Sequence, residues 1–148
     1  MKSKSIGRFN SFCRSLGNLE RSKTKNPNDD MVLEATVQRF NLSFDLSWKI
    51  MKDILTEYMG ILDFATGSPR ETLQTAYANK LIDSDIWLEM LKTRNKLAHD
   101  YDGVLAIEEF EKLVGIFYEA FVKFQKHVEK YYTEKTEPAD TFSKLSKI

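Results

Sequence analysis

The residues best suited to chemistry lie together in RNKLAHDYDG, residues 94–103, which contains Arg94, Asn95, Tyr101 and one of the two histidines, His99. An arginine can bind a phosphate through two parallel hydrogen bonds, and a histidine, with a usual pKa of roughly 6.5, can transfer a proton near neutral pH. These groups suit RNA cleavage in which the ribose 2′-hydroxyl attacks the adjacent phosphate, because that reaction needs proton transfer and charge stabilisation but no metal. Asn95 would orient His99 or a phosphate oxygen.

A helix predicted over residues 84–101 would position this motif. At about 100° per residue, Arg94 and Tyr101 fall in the apolar arc, and Asn95 and His99 lie side by side at its border. An arginine in an apolar arc needs a partner or a cleft, because its guanidinium does not lose its charge. One histidine does not readily act as both base and acid, so we expect a second copy of the chain to complete the cleft in a homodimer.

Each residue of the motif also has an ordinary structural interpretation. Arg94 could form an ion pair with Asp45 or Glu57 of the second predicted helix. His99 could be a surface histidine, or a core histidine with satisfied hydrogen bonds. Tyr101 could be a core tyrosine whose hydroxyl is hydrogen-bonded.

The composition predicts one all-α domain. The chain has 148 residues, 42% of them apolar, with few glycines and prolines. Lysine plus arginine equals aspartate plus glutamate, so there is no overall attraction to nucleic acid or to an acidic membrane. The single Cys13 indicates a reducing compartment. Because there is no long apolar run or signal-peptide pattern, we expect a soluble cytoplasmic protein, and we expect no metal site or cofactor.

Five amphipathic helices are predicted, over residues 6–21, 30–59, from 68 onward, 84–101 and 106–132. Short connections favour an up-and-down bundle of four main helices, with the short third helix in a crossover. Residues 1–132 would form this domain and residues 133–148 a polar tail. The second helix carries a main apolar stripe of Leu33, Val37, Phe40, Phe44, Trp48, Met51 and Leu55. Its opposite stripe, Leu42, Leu46 and Ile50, indicates either a central helix or a contact with another subunit.

The third helix begins at SPRE, residues 68–71. Ser68 suits the N-cap and Glu71 completes a capping box. Arg70 is a cation in the first turn, which opposes the helix dipole, so it is a candidate contact for a ligand or partner. His127, near the end of the last helix, is interpreted as structural.

The segment RNKLAH matches the R-N-x3-H form of the R-x4-6-H motif of HEPN domains, and RNKLAHDYD resembles the R-x4-H-x-Y motif of the HepT-like branch. Three further blocks, QRFNLSFDLSWKIMKDIL (38–55), SPRETLQTAY (68–77) and LIDSDIWLEMLKTRNKLAHDYD (81–102), resemble nucleotidyltransferase substrate-binding proteins. The resemblance covers roughly residues 6–130.

This resemblance implies a dimerising helical bundle whose separate partner is a minimal nucleotidyltransferase encoded by a neighbouring gene. In the HepT-like branch the helical protein is a metal-independent endoribonuclease toxin. The nucleotidyltransferase is its antitoxin and adds AMP to the motif tyrosine, here Tyr101. Arg94 and His99 would then be catalytic, with Asn95 as their polar companion. The alternative is a non-catalytic substrate-binding subunit of a two-component nucleotidyltransferase.

Overall fold

The computed structural model describes residues 2–61 and 67–133. Its helices are α1 (Ser3–Ser22), α2 (Asp30–Asp53) with a π-helical turn (Ile54–Tyr58), α3 (Pro69–Ala78), α4 (Ile86–Leu97), α5 (Val104–Val114), α6 (Ile116–Val128) and α7 (Lys130–Thr133). The predicted all-α bundle with an extra short helix is confirmed. Residues 134–148 of the predicted polar tail lie outside the described residues. Within the described ranges, no helix is both long and apolar enough to span a membrane.

The first two helices form an antiparallel pair. The Arg39 guanidinium of α2 donates a hydrogen bond of 2.9 Å to the Ser22 hydroxyl at the end of α1. Nearer the middle of both helices, the hydroxyls of Ser15 and Ser43 are 2.6 Å apart. Because Ser22 lies opposite Arg39 and Ser15 lies opposite Ser43, the two helices run in opposite directions. Asp29 begins α2 as its N-cap, because its side chain accepts a hydrogen bond of 2.9 Å from the backbone N–H of Met31.

The apolar faces of the helices meet in one aromatic core. Phe40 of α2 stacks on Phe117 of α6 with ring centroids 5.6 Å apart. Along the predicted main stripe of α2, the side chains are buried except Val37 and Trp48, which are partly buried against the core. The side chains of the opposite stripe differ in their burial. Ile50 is fully buried because α2 is central in the bundle, whereas Leu42 is 50% exposed.

The prediction of a single helix over residues 106–132 is wrong, because Gly115 separates α5 from α6. A Cβ at Gly115 would lie 2.6 Å from the carbonyl oxygen of Glu111, a distance that a side chain does not tolerate. The chain therefore changes direction at a residue that only glycine can occupy without distortion. Ile107, three positions before the buried Phe110, is 52% exposed.

A polar cluster ties the start of α1 to the π-helical turn. Arg8 forms an ion pair with Asp53, and the Ser5 hydroxyl donates a hydrogen bond of 3.0 Å to Glu57. Burial raises the pKa of the Asp53 carboxyl above its usual value, although Arg8 acts in the opposite direction. Burial also raises the pKa of the Tyr132 hydroxyl, and the nearby carboxylates of Asp53 and Glu57 add to that shift.

Candidate functional site

The helix that carries the motif ends earlier than its periodicity predicts. α4 spans Ile86–Leu97, so the predicted range 84–101 is too long at both ends. After Leu97 the chain makes a tight turn, in which Gly103 adopts a left-handed conformation with φ of 74°. The carboxylate of Asp100 accepts hydrogen bonds from the backbone N–H groups of Leu105, at 3.0 Å, and Ala106, at 2.8 Å. Asp100 therefore caps α5 and fixes the turn to its N-terminus.

This turn moves Tyr101 away from the apolar arc in which helical phase placed it. Its side chain is 88% exposed, so the interpretation as a core tyrosine is wrong. His99 is exposed in the same turn, and Asn95 is exposed on α4. Within the described part of the chain, no hydrogen bond joins the side chains of Arg94, Asn95, His99 and Tyr101 to one another. Arg94 and Asn95 lie on α4, whereas His99 and Tyr101 lie in the turn that follows it.

Arg94 has a partner on α2. Its Nη2 donates a hydrogen bond of 2.8 Å to Oδ1 of Asp45, with the two side chains 35% and 33% exposed. Of the two predicted ion pairs, the one with Asp45 is confirmed, whereas Glu57 accepts hydrogen bonds from the start of α1. A guanidinium has five N–H donors, so Arg94 keeps the capacity to bind an anion while Asp45 orients it.

Arg70 and His127 lie on α3 and α6, outside the motif helix and its turn. Arg70 is exposed in the first turn of α3, where Ser68 is the N-cap and accepts a 3.2 Å hydrogen bond from the N–H of Glu71, as predicted. His127 lies in the last turn of α6, and its Nε2 is 3.1 Å from the carbonyl oxygen of Lys80. Arg70 therefore stays a separate candidate for a ligand or partner contact.

A groove of about 700 Å³ opens beside the turn, between α2 and α5, with Tyr101 among its lining residues. Among the described residues, its lining includes no lysine or arginine but includes five carboxylates, those of Asp30, Glu34, Asp45, Asp100 and Asp102. We name it the acidic groove. Sequence reasoning missed it because the net charge of the chain is zero and the acids come from two distant segments. The closely spaced acids of HDYDG and the adjacent Asp29 and Asp30 were local signals of it.

The extent of the fold agrees with a comparison to known families. The family described as nucleotidyltransferase substrate binding protein like has a model that matches residues 7–130. The chain belongs to this family. The matched range includes Arg94, Asn95, His99, Tyr101 and the whole lining of the acidic groove. A search of curated proteins finds no match to the chain. For this family member, the family name implies a nucleotidyltransferase as partner.

Proposed function

We propose that this family member is the substrate-binding subunit of a two-component nucleotidyltransferase, and that Tyr101 is the group it presents for modification. The observation that carries the proposal is the 88% exposure of the Tyr101 side chain on a turn held by Asp100. A nucleotide acceptor has to enter the active site of another protein and align with the reacting phosphorus. An exposed phenol on a short, anchored turn meets both requirements.

The chemistry divides between the two proteins. The Tyr101 oxygen attacks the α-phosphorus of a nucleoside triphosphate, a new P–O bond forms, and the bond to pyrophosphate breaks. The phenolic proton passes to a base of the nucleotidyltransferase, which also binds the nucleotide. This chain supplies the acceptor. Arg94, oriented by Asp45 and partly exposed, keeps N–H donors that can bind a phosphate oxygen.

Co-expression with the neighbouring nucleotidyltransferase, followed by intact-mass measurement, tests the proposal. We expect one added nucleoside monophosphate on wild type and none on Tyr101→Phe. Tyr77→Phe is the matched control, because Tyr77 is also exposed but lies on α3. Wild type that forms a stable complex and stays unmodified would refute the proposal.

The second candidate is the endoribonuclease toxin, for which the nucleotidyltransferase would be the antitoxin. It is favoured by the exposure of His99 and the free donors of Arg94. In a homodimer, Arg94 would bind the scissile phosphate, His99 would transfer the proton and Asn95 would orient either group. We place it second because the acidic groove repels the phosphate backbone of an RNA.

Expression without the partner tests the toxin candidate. It predicts growth arrest and RNA cleavage by wild type, and loss of both in Arg94→Ala and in His99→Ala. Wild-type protein that is dimeric, harmless and inert toward RNA would exclude it.

A further inference from the structure

We propose that the acidic groove is the docking site for a basic, amphipathic segment of the partner nucleotidyltransferase. This inference rests on the proposed function for the identity of the partner. It adds the surface by which the partner is recognised and the charge that the partner has to carry there.

Three of the five groove carboxylates have no cationic partner among the described residues. Of the five groove carboxylates, Asp45 pairs with Arg94 and Asp100 accepts two backbone N–H groups. The side chains of Asp30, Glu34 and Asp102 form no hydrogen bond or ion pair with any other described residue, and the groove lining offers them no cation. A basic segment would pair with these three carboxylates, whereas RNA would be repelled by them.

Apolar side chains are exposed in the groove between these charges. Leu42 on α2 is 50% exposed and Ile107 on α5 is 52% exposed, and both line the groove. The complementary occupant therefore carries apolar side chains between its lysines or arginines. An amphipathic helix that lies in a groove has this pattern.

The groove lining also includes Tyr101, the residue proposed for modification. Asp100, Tyr101 and Asp102 are consecutive, and all three line the groove. A cation of the docked segment that pairs with Asp102 therefore lies beside the preceding residue, Tyr101. Docking of the segment would deliver the phenol to the partner as one rigid unit, because Asp100 anchors the same turn to α5.

A charge-reversal variant with a matched control tests the docking site. Glu34→Lys/Gln38→Lys changes two exposed groove residues that are one helical turn apart on α2. The control, Gln125→Lys/Glu129→Lys, makes the same substitutions at the same spacing at the end of α6, outside the groove lining. Both variants receive the same change in net charge. Titration calorimetry of the purified full chain with the purified nucleotidyltransferase, at low and high salt, compares their binding.

We expect the groove variant to bind about tenfold or more weakly than wild type and the control to stay within about twofold, because a lysine at position 34 repels the basic segment that the Glu34 carboxylate attracts. Wild-type binding should weaken as salt rises. Equal affinities for the groove variant and the control would overturn the proposal, as would the absence of a complex with wild type.

Two further measurements identify a wrong occupant. If the groove variant changes self-association in sedimentation while its affinity for the nucleotidyltransferase is unchanged, the occupant is a second copy. If the groove variant changes only binding of a single-stranded RNA probe, the occupant is RNA, and either result overturns the proposal. Intact-mass measurement of the chain from the same complexes separates the two proposals. Binding through the groove with Tyr101 unmodified would keep the docking site and refute the proposed function.

Discussion

The turn that presents Tyr101 should depend on the carboxylate of Asp100. In Asp100→Ala, the N–H groups of Leu105 and Ala106 lose acceptors at 3.0 and 2.8 Å, and the N-terminus of α5 loses a negative charge. Loss of an N-cap costs about 0.5–2 kcal/mol, and loss of the dipole interaction about 0.3–1 kcal/mol. We therefore expect a decrease of about 1–2 kcal/mol in the free energy of unfolding. For a chain of this length that corresponds to a fall in Tm of about 3–8 °C.

Urea unfolding and amide hydrogen exchange measure this effect. Asp102→Ala is the matched control, because the Asp102 side chain forms no hydrogen bond with any described residue, and its effect should stay within about 0.5 kcal/mol. Asp100→Asn should be intermediate, because an amide offers one oxygen acceptor where the carboxylate offers two. The exchange of the Leu105 and Ala106 amides should accelerate in Asp100→Ala. If Asp100→Ala and Asp102→Ala have the same stability and leave these amides equally protected, the capping interpretation is wrong.

Three other substitutions test the fold and the site. Gly115→Ala should destabilise the protein by about 1–3 kcal/mol in urea unfolding, because the new Cβ meets the chain, while Gly17→Ala, in open space on a helix, should stabilise it by about 0.5–1 kcal/mol; equal effects would refute the requirement for glycine. A double-mutant cycle of Arg94→Ala and Asp45→Ala should give a coupling of about 0.5–1 kcal/mol, since both side chains are about one-third exposed to solvent, and additive effects would show that the pair is not formed in solution. Because burial raises the pKa of Asp53, the stability contributed by its protonated form, complete below its unfolded pKa of about 3.9, is lost as pH rises through the raised folded pKa. In Asp53→Asn, unfolding followed against pH should lack this decline, and an unchanged profile would assign it to another group.

The helical bundle could be predicted because each long helix buries one side. The apolar stripe of α2 and the spacing of Phe110, Phe117 and Phe121 near the end of the chain both follow the helical repeat. The break at Gly115 could not be predicted in this way, because the stripe continues on both sides of it. It depends on the approach of the Glu111 carbonyl, which only the folded backbone shows.

The arrangement of the candidate site residues could not be predicted from helical phase. Helical phase placed Tyr101 with Arg94 because it extrapolated α4 past its end. The turn instead follows from hydrogen bonds that Asp100 makes with residues five and six positions later. The sequence predicted an ion pair of Arg94 with either Asp45 or Glu57. In the structure, α4 packs against α2 and Arg94 pairs with Asp45. The acidic groove joins residues 30–45 with residues 97–107, a juxtaposition that has no local pattern.

Site mapping of the modification is the most direct test of the central claim. The purified chain would be incubated with a purified partner nucleotidyltransferase, magnesium and a nucleoside triphosphate. The products would then be digested and sequenced by tandem mass spectrometry. The account predicts one nucleoside monophosphate, attached to the Tyr101 oxygen, with a matching release of pyrophosphate and no modification of the exposed Tyr77. Attachment at another residue, or no attachment while the two proteins form a complex, would contradict it.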